Sequence, residues 1–429
     1  MSIPPGSDGL PLLGETLAFA KNPFGFIDER LARHGRVFRT HVLGRKAAVI
    51  AGPDAAGTFI DPDAIERAGA MPPHVRQIFG GDSLPLLDGD IHRTRKTIVL
   101  SAFSRAAMTS YLPEMQRIVE HAFETWSREK EIRWLDEMKR LSIEVICANV
   151  FGMQAGAEMD QLRRDYETLT RGFATLPVNL PGTTYNKALK ARDRIFAVLR
   201  ARIRERAAMP AEDGLSRILA NRGAMSDDEI VLELHHIVIA GFIVFAEFAA
   251  MVQQLTASNA VRIRLTTEIR EKSPAGAISV ESLMSMPYLL QVVNEVKRIC
   301  PIVAAVFGRS KGFSIDGMTV PAGWMVMWAV TPSHNARGLY SDPASFDPDR
   351  FSPERAEEKR HEHAFAPQGA GAATGHRCPG LDYATFFMEV FAIVLLRDYT
   401  WELPPQNFEL DFSRTPPEFK DGLRAIISR

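Results

Sequence analysis

The stretch Phe365–Phe387, FAPQGAGAATGHRCPGLDYATFF, decides the fold. Its one cysteine, Cys378, stands in a run of glycines, with Pro379 behind it and an amphipathic segment next. A buried structural thiol needs no flexible backbone around it, and a disulfide needs a partner. A helix is expected from Leu381 to Asp398, with Phe386, Phe387, Val390, Ile393 and Val394 on its apolar face. The free N–H groups and positive end of that helix point at the sulfur and favour a thiolate.

Four readings of that sulfur follow from the loop. A nucleophilic cysteine wants a histidine base, and His376 lies two residues before it. Zinc wants four ligands, which His361, His363, His376 and Cys378 would supply. A haem iron takes one axial thiolate. A buried thiol without chemistry is the plainest reading.

Bulk composition narrows the classes. The chain has 429 residues, 46% hydrophobic and 24% charged, an ordinary balance for a globular enzyme. Its 51 Lys and Arg against 52 Asp and Glu leave a net charge of −1, so nothing favours nucleic acid or an anionic membrane. Cys147, Cys300 and Cys378 are odd in number and far apart, which implies no disulfide framework and fits a cytoplasmic setting. The N-terminus lacks the basic and apolar regions of a signal peptide, and the most apolar run, Ile237 to Ala246, is about half a bilayer span.

No repeat or Gly/Ser linker divides residues 1–429, so one domain is expected. Residues 37–52 read as a hairpin around Leu43-Gly44-Arg45, and residues 313–330 as strand, Asp-Gly turn, strand. Helical spacing covers Asp90–Arg105, Met115–Arg128, Glu131–Phe151, Tyr185–Ala208 and Ser226–Ser258. The fold class is mainly α with small β-sheets. Ser226 and Glu229 form a capping box at the head of the longest helix. About 30 residues at 1.5 Å each make a rod of ~45 Å, long enough to cross a whole domain. Its middle is apolar nearly all round, so it must run through the centre. Ala240 and Gly241 put the smallest side chains there, where something bulky can press on the backbone.

Further motifs break the tie at the sulfur. Glu295 and Arg298 stand three apart on one helix, Phe346-Asp-Pro-Asp-Arg350-Phe351 follows in a turn-rich stretch, and then comes the loop with Gly-His-Arg-Cys-Pro-Gly. This order resembles the cytochrome P450 superfamily, and the resemblance covers nearly the whole chain. It implies the P450 fold, with a long distal helix over a haem b.

Carried onto this sequence, the resemblance makes Cys378 the proximal iron ligand. His376 and Arg309 match basic positions that contact haem propionates, and His92 matches the first basic position of the distal-side helix. The second is usually arginine and is Lys96 here, with Arg95 as the substitute. Phe365 opens the haem-binding loop. Two propionates buried against protein need such cationic donors. Glu295, Arg298 and Arg350 correspond to a structural triad that braces the loop.

Two departures carry functional information. Monooxygenases of the superfamily follow Ala-Gly with any residue, an acid and an alcohol, a relay for protons. Here Ala240-Gly241-Phe242 is followed by Ile243 and Val244. Phe365 lies thirteen residues before Cys378, a longer loop than typical members have, and Thr374 replaces a glycine. The loop resembles the fatty-acid peroxygenase branch, which uses hydrogen peroxide and also lacks the pair. That branch docks the substrate carboxylate on a distal-helix arginine, and no arginine occurs here between Arg222 and Arg262. His236 and Glu247 remain as polar candidates on the distal helix, each with a plain core reading beside the catalytic one.

The expected function is oxidation of a small apolar or aromatic molecule, fed by a separate ferredoxin and ferredoxin reductase or by hydrogen peroxide, in a monomer off the membrane. The segments Pro301–Val306 and Met71–Leu87 are expected as pocket walls. Rearrangement, dehydration or group transfer of a pre-activated substrate is the alternative, and a non-enzymatic haem sensor a further one.

Overall fold

In the computed structural model, which describes every residue except Met1, Ala174, Leu176 and Pro301, the hairpin closes where expected. Leu43 and Gly44, both at positive φ (56° and 73°), join strands Val37–Val42 and Arg45–Ala51. The second strand pairs in parallel with Met325–Ala329, which pairs antiparallel with Ala305–Ser310, and Ile65–Glu66 forms the far edge. All five residues of Met325–Ala329 are buried, as a central strand covered on both faces requires. Asp316 and Gly317 turn the small hairpin of Phe313–Ile315 and Met318–Val320 as read. Met325–Ala329, expected to continue that hairpin, joins the larger sheet instead, because Pro321 cannot donate to a ladder.

Helices fill the rest. The cysteine helix Leu381–Asp398 and the helix Thr184–Ala208 match their expected spans closely. The distal-side helix ends early, at Ser101. A new helix, Arg105–Trp126, starts ten residues before the expected one, because the Ser104 side chain caps it by accepting the Ala107 N–H at 3.3 Å. Residues 132–133 pair with Arg424 and Ala425, so the next helix is Trp134–Phe151.

The central rod departs from a single helix. The capping box at Ser226 and Glu229 is present, but the rod divides into Asp227–Ile243 and Phe245–Ala257. At Val244 (φ −66°, ψ −9°) the ladder tightens, and Glu247 N–H donates to the Val244 carbonyl at 2.9 Å. Gly241 followed by bulky and β-branched residues is the weakest helical stretch of the rod. A Cβ on Gly241 would lie 2.7 Å from Ile146 Cγ1, so the bulky neighbour there is a side chain of Trp134–Phe151. The rod passes the length and composition test for a membrane span, yet 67% of its most apolar window is buried inside the protein. Phe248 packs against Phe387 and Phe391, at ring separations of 4.5 and 4.9 Å, and so joins the rod to the cysteine helix within the main core.

Candidate functional site

The loop before Cys378 is held by three devices. The Cys378 N–H donates to the Gln368 carbonyl at 2.9 Å. Gly369 adopts φ 95° with the position of its missing Cβ only 3.2 Å from the His376 carbonyl, so a side chain there would be strained and crowded. The third is a buried charge network. Glu295 takes bonds from Arg298 at 2.7 and 2.8 Å and from Arg350 at 3.1 Å, with all three side chains fully buried. Arg350 also meets Glu357 at 3.0 Å and three backbone carbonyls, so its donors are satisfied. His334 connects network and loop. Its Nδ1 faces the Arg298 carbonyl at 3.2 Å and its Nε2 accepts the Ala366 N–H at 3.1 Å. Nothing in the sequence pattern singled out His334.

Above the sulfur lies a cavity of about 340 Å³. His92, Lys96, His236, Ala240, Gly241 and Val244 line it, as do His376 and Cys378. The distal helix thus shows the cavity residues 236, 237, 240, 241 and 244, one face at helical spacing. The Pro301–Val306 wall is present through Val303, Ala305 and Val306, and Pro301 itself lies outside the described residues. Met71, Leu84 and Pro85 supply the opposite wall.

Five expected residues lie elsewhere. Ile243 points away from the cavity into the main core, because the helical step from Val244 carries it off the face. Glu247, one turn beyond the break, is buried toward Lys297 and Cys300 rather than the cavity. Arg95 turns to Glu229 and to Glu233 (3.2 Å), which neutralise it in a buried pairing off the cavity. Arg309 faces an outer cleft and pairs with Glu66 at 2.6 Å, the alternation of its strand placing it opposite Gly308. Phe365 packs between Phe351 and His334, with ring separations of 5.0 and 5.8 Å, and supports the loop from behind. The zinc cluster does not form. His361 bonds Asp54 at 3.1 Å and His363 packs at Gly57, and no group of three metal-ligating side chains converges among the described residues.

Arg67 is a charged cavity residue that spacing did not reveal. It donates to the Phe307 carbonyl at 3.0 Å and lies over the Phe59 ring. No motif surrounds it. Only its placement beside the cluster of His92, Lys96 and His376 gives it meaning.

That cluster tests whether a haem suits the site. The His92 and His376 rings are 4.0 Å apart, and His92 Nε2 is buried with no hydrogen-bond partner. Burial and the facing His376 and Lys96 press the His92 imidazole down to about 4. Burial likewise lowers Lys96 to about 8 and Arg67 to about 10. Asp88 faces His376 at 3.7 Å, but its carboxylate is already taken by the Arg67 and Ala68 N–H groups. Four donors crowd one end of the cavity and repel one another, which is the electrostatic signature of a site built for anions the chain does not itself supply. Two propionates would answer that need, and the Cys378 thiol on the same cavity would answer the iron. Burial pushes the Cys378 thiol up, while the Gly380 N–H, Lys96 and Lys297 act in the opposite sense and favour the thiolate that a metal requires.

Comparison with known proteins agrees with this geometry. The family model for cytochrome P450 matches residues 4–420. A cytochrome P450 120 of Synechocystis is 31% identical over 438 residues, spanning 100% of this chain and 97% of its own. Abscisic acid 8'-hydroxylase 2 of Arabidopsis thaliana is 28% identical over 94% of this chain and 85% of its own. The solved structure of retinoic acid bound cyanobacterial CYP120A1 superposes with a TM-score of 0.92 at 30% identity, covering 100% of this chain and 99% of that one.

Proposed function

The chain belongs to the cytochrome P450 family, and from that premise we propose that it oxidises a small apolar or aromatic molecule carrying one polar end, an apolar carboxylic acid being the class that fits best. It is a haem-thiolate oxidoreductase, with Cys378 as axial ligand and Arg67, His92, Lys96 and His376 as the propionate donors. When bound, haem b supplies the redox chemistry, and the protein's residues supply shape, dryness and polarity.

One observation carries the substrate class. His236 is the sole polar side chain among the distal-helix residues on the cavity, and its imidazole has no hydrogen-bond partner among the described residues. Burial presses it down to about 4, so it is neutral at pH 7 and offers one donor and one acceptor. The walls around it are Ile237, Val244, Val303 and Val306, which exclude water and favour an apolar body. A neutral imidazole suits a carboxylic acid, whose O–H it accepts or whose oxygen it bonds. Relatives whose names carry retinoic acid and abscisic acid support this reading.

The test is a spectral titration of the holoenzyme with an apolar carboxylic acid, the matching alcohol and the matching hydrocarbon. The acid is expected to bind most tightly, and His236→Phe to weaken it about tenfold while leaving the hydrocarbon unchanged. Equal affinity for all three ligands defeats the assignment. Cys378→His must abolish the red-shifted Soret band of the reduced carbonyl complex. If the band persists, the axial ligand is elsewhere.

Oxidant supply is part of the proposal: a separate ferredoxin and ferredoxin reductase, or hydrogen peroxide, serving a monomeric single-domain enzyme in the cytoplasm. With an aliphatic Val244 where the alcohol of a proton relay stands in monooxygenases, peroxide or a pre-activated substrate is expected to work at least as well as reductant and O₂. Rearrangement, dehydration or group transfer is the second reading, favoured by that same missing relay.

A further inference from the structure

Lys297 is one of the groups that favour the Cys378 thiolate, and its own surroundings have a further consequence. It lies between Glu295 and Arg298 but points the other way, into the space beneath the cysteine helix. Its side chain is buried, the residue being 1% exposed. The ammonium donates to Thr385 Oγ1 at 2.9 Å and to the Leu381 carbonyl at 3.4 Å. Leu381 is the first residue of the helix that follows Cys378.

This is a costly place for a cation. Burial penalises the charge, and the amino-terminal end of a helix is its positive end. Glu247 and Glu389 are near, yet among the described residues Lys297 makes an ion pair with neither, and each carboxyl has an oxygen without a hydrogen-bond partner. Burial raises both acids, Glu389 to about 8, toward the neutral form, and it lowers Lys297 as well, against the opposing pull of Glu247 and then of the Cys378 sulfur. Asp382, at the surface end of the same helix turn, is the remaining carboxylate that faces it. A further group that acts on it is the Cys378 sulfur, three residues before the carbonyl that Lys297 holds.

We propose that Lys297 is the buried counter-charge of the Cys378 thiolate, a positioning residue that raises the reduction potential of the haem by acting through the sulfur. The proposal rests on Cys378 being the axial ligand. Reduction adds one electron at the iron and breaks no bond, so a fixed positive charge held at the start of the cysteine helix favours the reduced form. The chain needs such a device if its electrons come from a weak donor, because an unopposed thiolate makes the iron hard to reduce.

The experiment is a redox titration of the holoenzyme with a chemical reductant and mediators, read from the Soret band. In Lys297→Met and Lys297→Gln the ferric-to-ferrous ratio at a fixed solution potential is expected to rise about tenfold, a fall of about 59 mV for this one-electron couple. Lys297→Arg keeps the charge and is expected to stay within about twofold of the parent. Unchanged potentials in the neutral variants overturn the proposal, as does an equal fall in the arginine variant, which would trace the effect to packing. The reduced carbonyl spectrum of the parent separates the two levels of inference. Without its thiolate band the reading of Cys378 fails, whereas a retained band with an unmoved potential removes only Lys297.

Discussion

The His92 and His376 rings face each other at 4.0 Å with 32° between their planes, and His92 Nε2 has no partner. Two buried imidazoles gain nothing from each other in that arrangement. His92 needs an acceptor from outside the chain, and Arg67, Lys96 and His376, which line the same cavity, keep donor capacity beyond the Phe307 carbonyl, the Arg377 carbonyl and Asp88 that they already meet. Haem retention is therefore expected to depend on all four. His92→Phe and Arg67→Met should each speed the loss of haem to a scavenging protein by about tenfold, the worth of one charge-assisted bond. Arg95→Met, which faces Glu229 and Glu233 instead, should leave that rate unchanged while lowering stability.

The triad should fail by a different route. Arg350→Met removes one partner of a fully buried carboxylate and leaves Glu295 and Glu357 under-paired. The expected loss is about 3–5 kcal/mol of folding free energy, measurable by denaturant unfolding. Because His334 carries the network to Ala366, haem incorporation should fall as well, and the cysteine loop should lose protection from hydrogen exchange.

On the distal face, neighbours in sequence should behave unlike each other. Val244 lines the cavity and Ile243 does not. Val244→Thr is therefore expected to raise the fraction of reductant electrons recovered in product, with a cost of about 1–3 kcal/mol if its hydroxyl finds no partner. Ile243→Asp should destabilise the core and leave coupling unaltered. Coupling that responds to residue 243 alone would contradict the helical face described above.

His334 gives a pH test. Burial, and then the charge of Arg298, hold its imidazole down to about 4, against 6.5 when free. The unfolded chain thus takes up this proton first, and the stability it represents is present above pH 6.5 and lost as pH falls toward 4. Glu233 and Glu389 are shifted the opposite way, to about 7 and about 8, so the raw profile of the protein partly cancels. A difference measurement isolates the histidine. The stability gap between the parent and His334→Gln should shrink as pH falls from 6.5 to 4.5, by up to about 1.4 kcal/mol per pH unit. A gap that widens would reverse the sign and the assignment.

The parts of the site legible in sequence were those encoded locally. Glycine and proline around Cys378, the three-residue spacing of Glu295 and Arg298, and the apolar face of Leu381–Asp398 each specify geometry within a few residues. Arg67 was not legible, because its role comes from a three-dimensional encounter with residues 25 to more than 300 positions away. Glu247 was misjudged for a related reason. Placing it on the cavity face assumed an unbroken helix, and the tightened turn at Val244 rotates everything after it. His334 was not legible either, because its role is to bridge Arg298 and Ala366, 36 and 32 residues away in opposite directions along the chain.

The five-stranded sheet also bears on how the molecule is made. Ala47 pairs in parallel with Met325, so the earlier strand waits for a partner 278 residues further along the chain. Long-range parallel pairing of this kind is slow to form, since its entropy cost precedes its reward. Ala305, Val306 and Phe307, a wall of the cavity, belong to the same sheet. The pocket therefore cannot close around its prosthetic group until these distant strands have met. During that interval the apolar hairpin Val37–Ala51 has an open edge, which makes cofactor supply and protection from aggregation two parts of one kinetic problem.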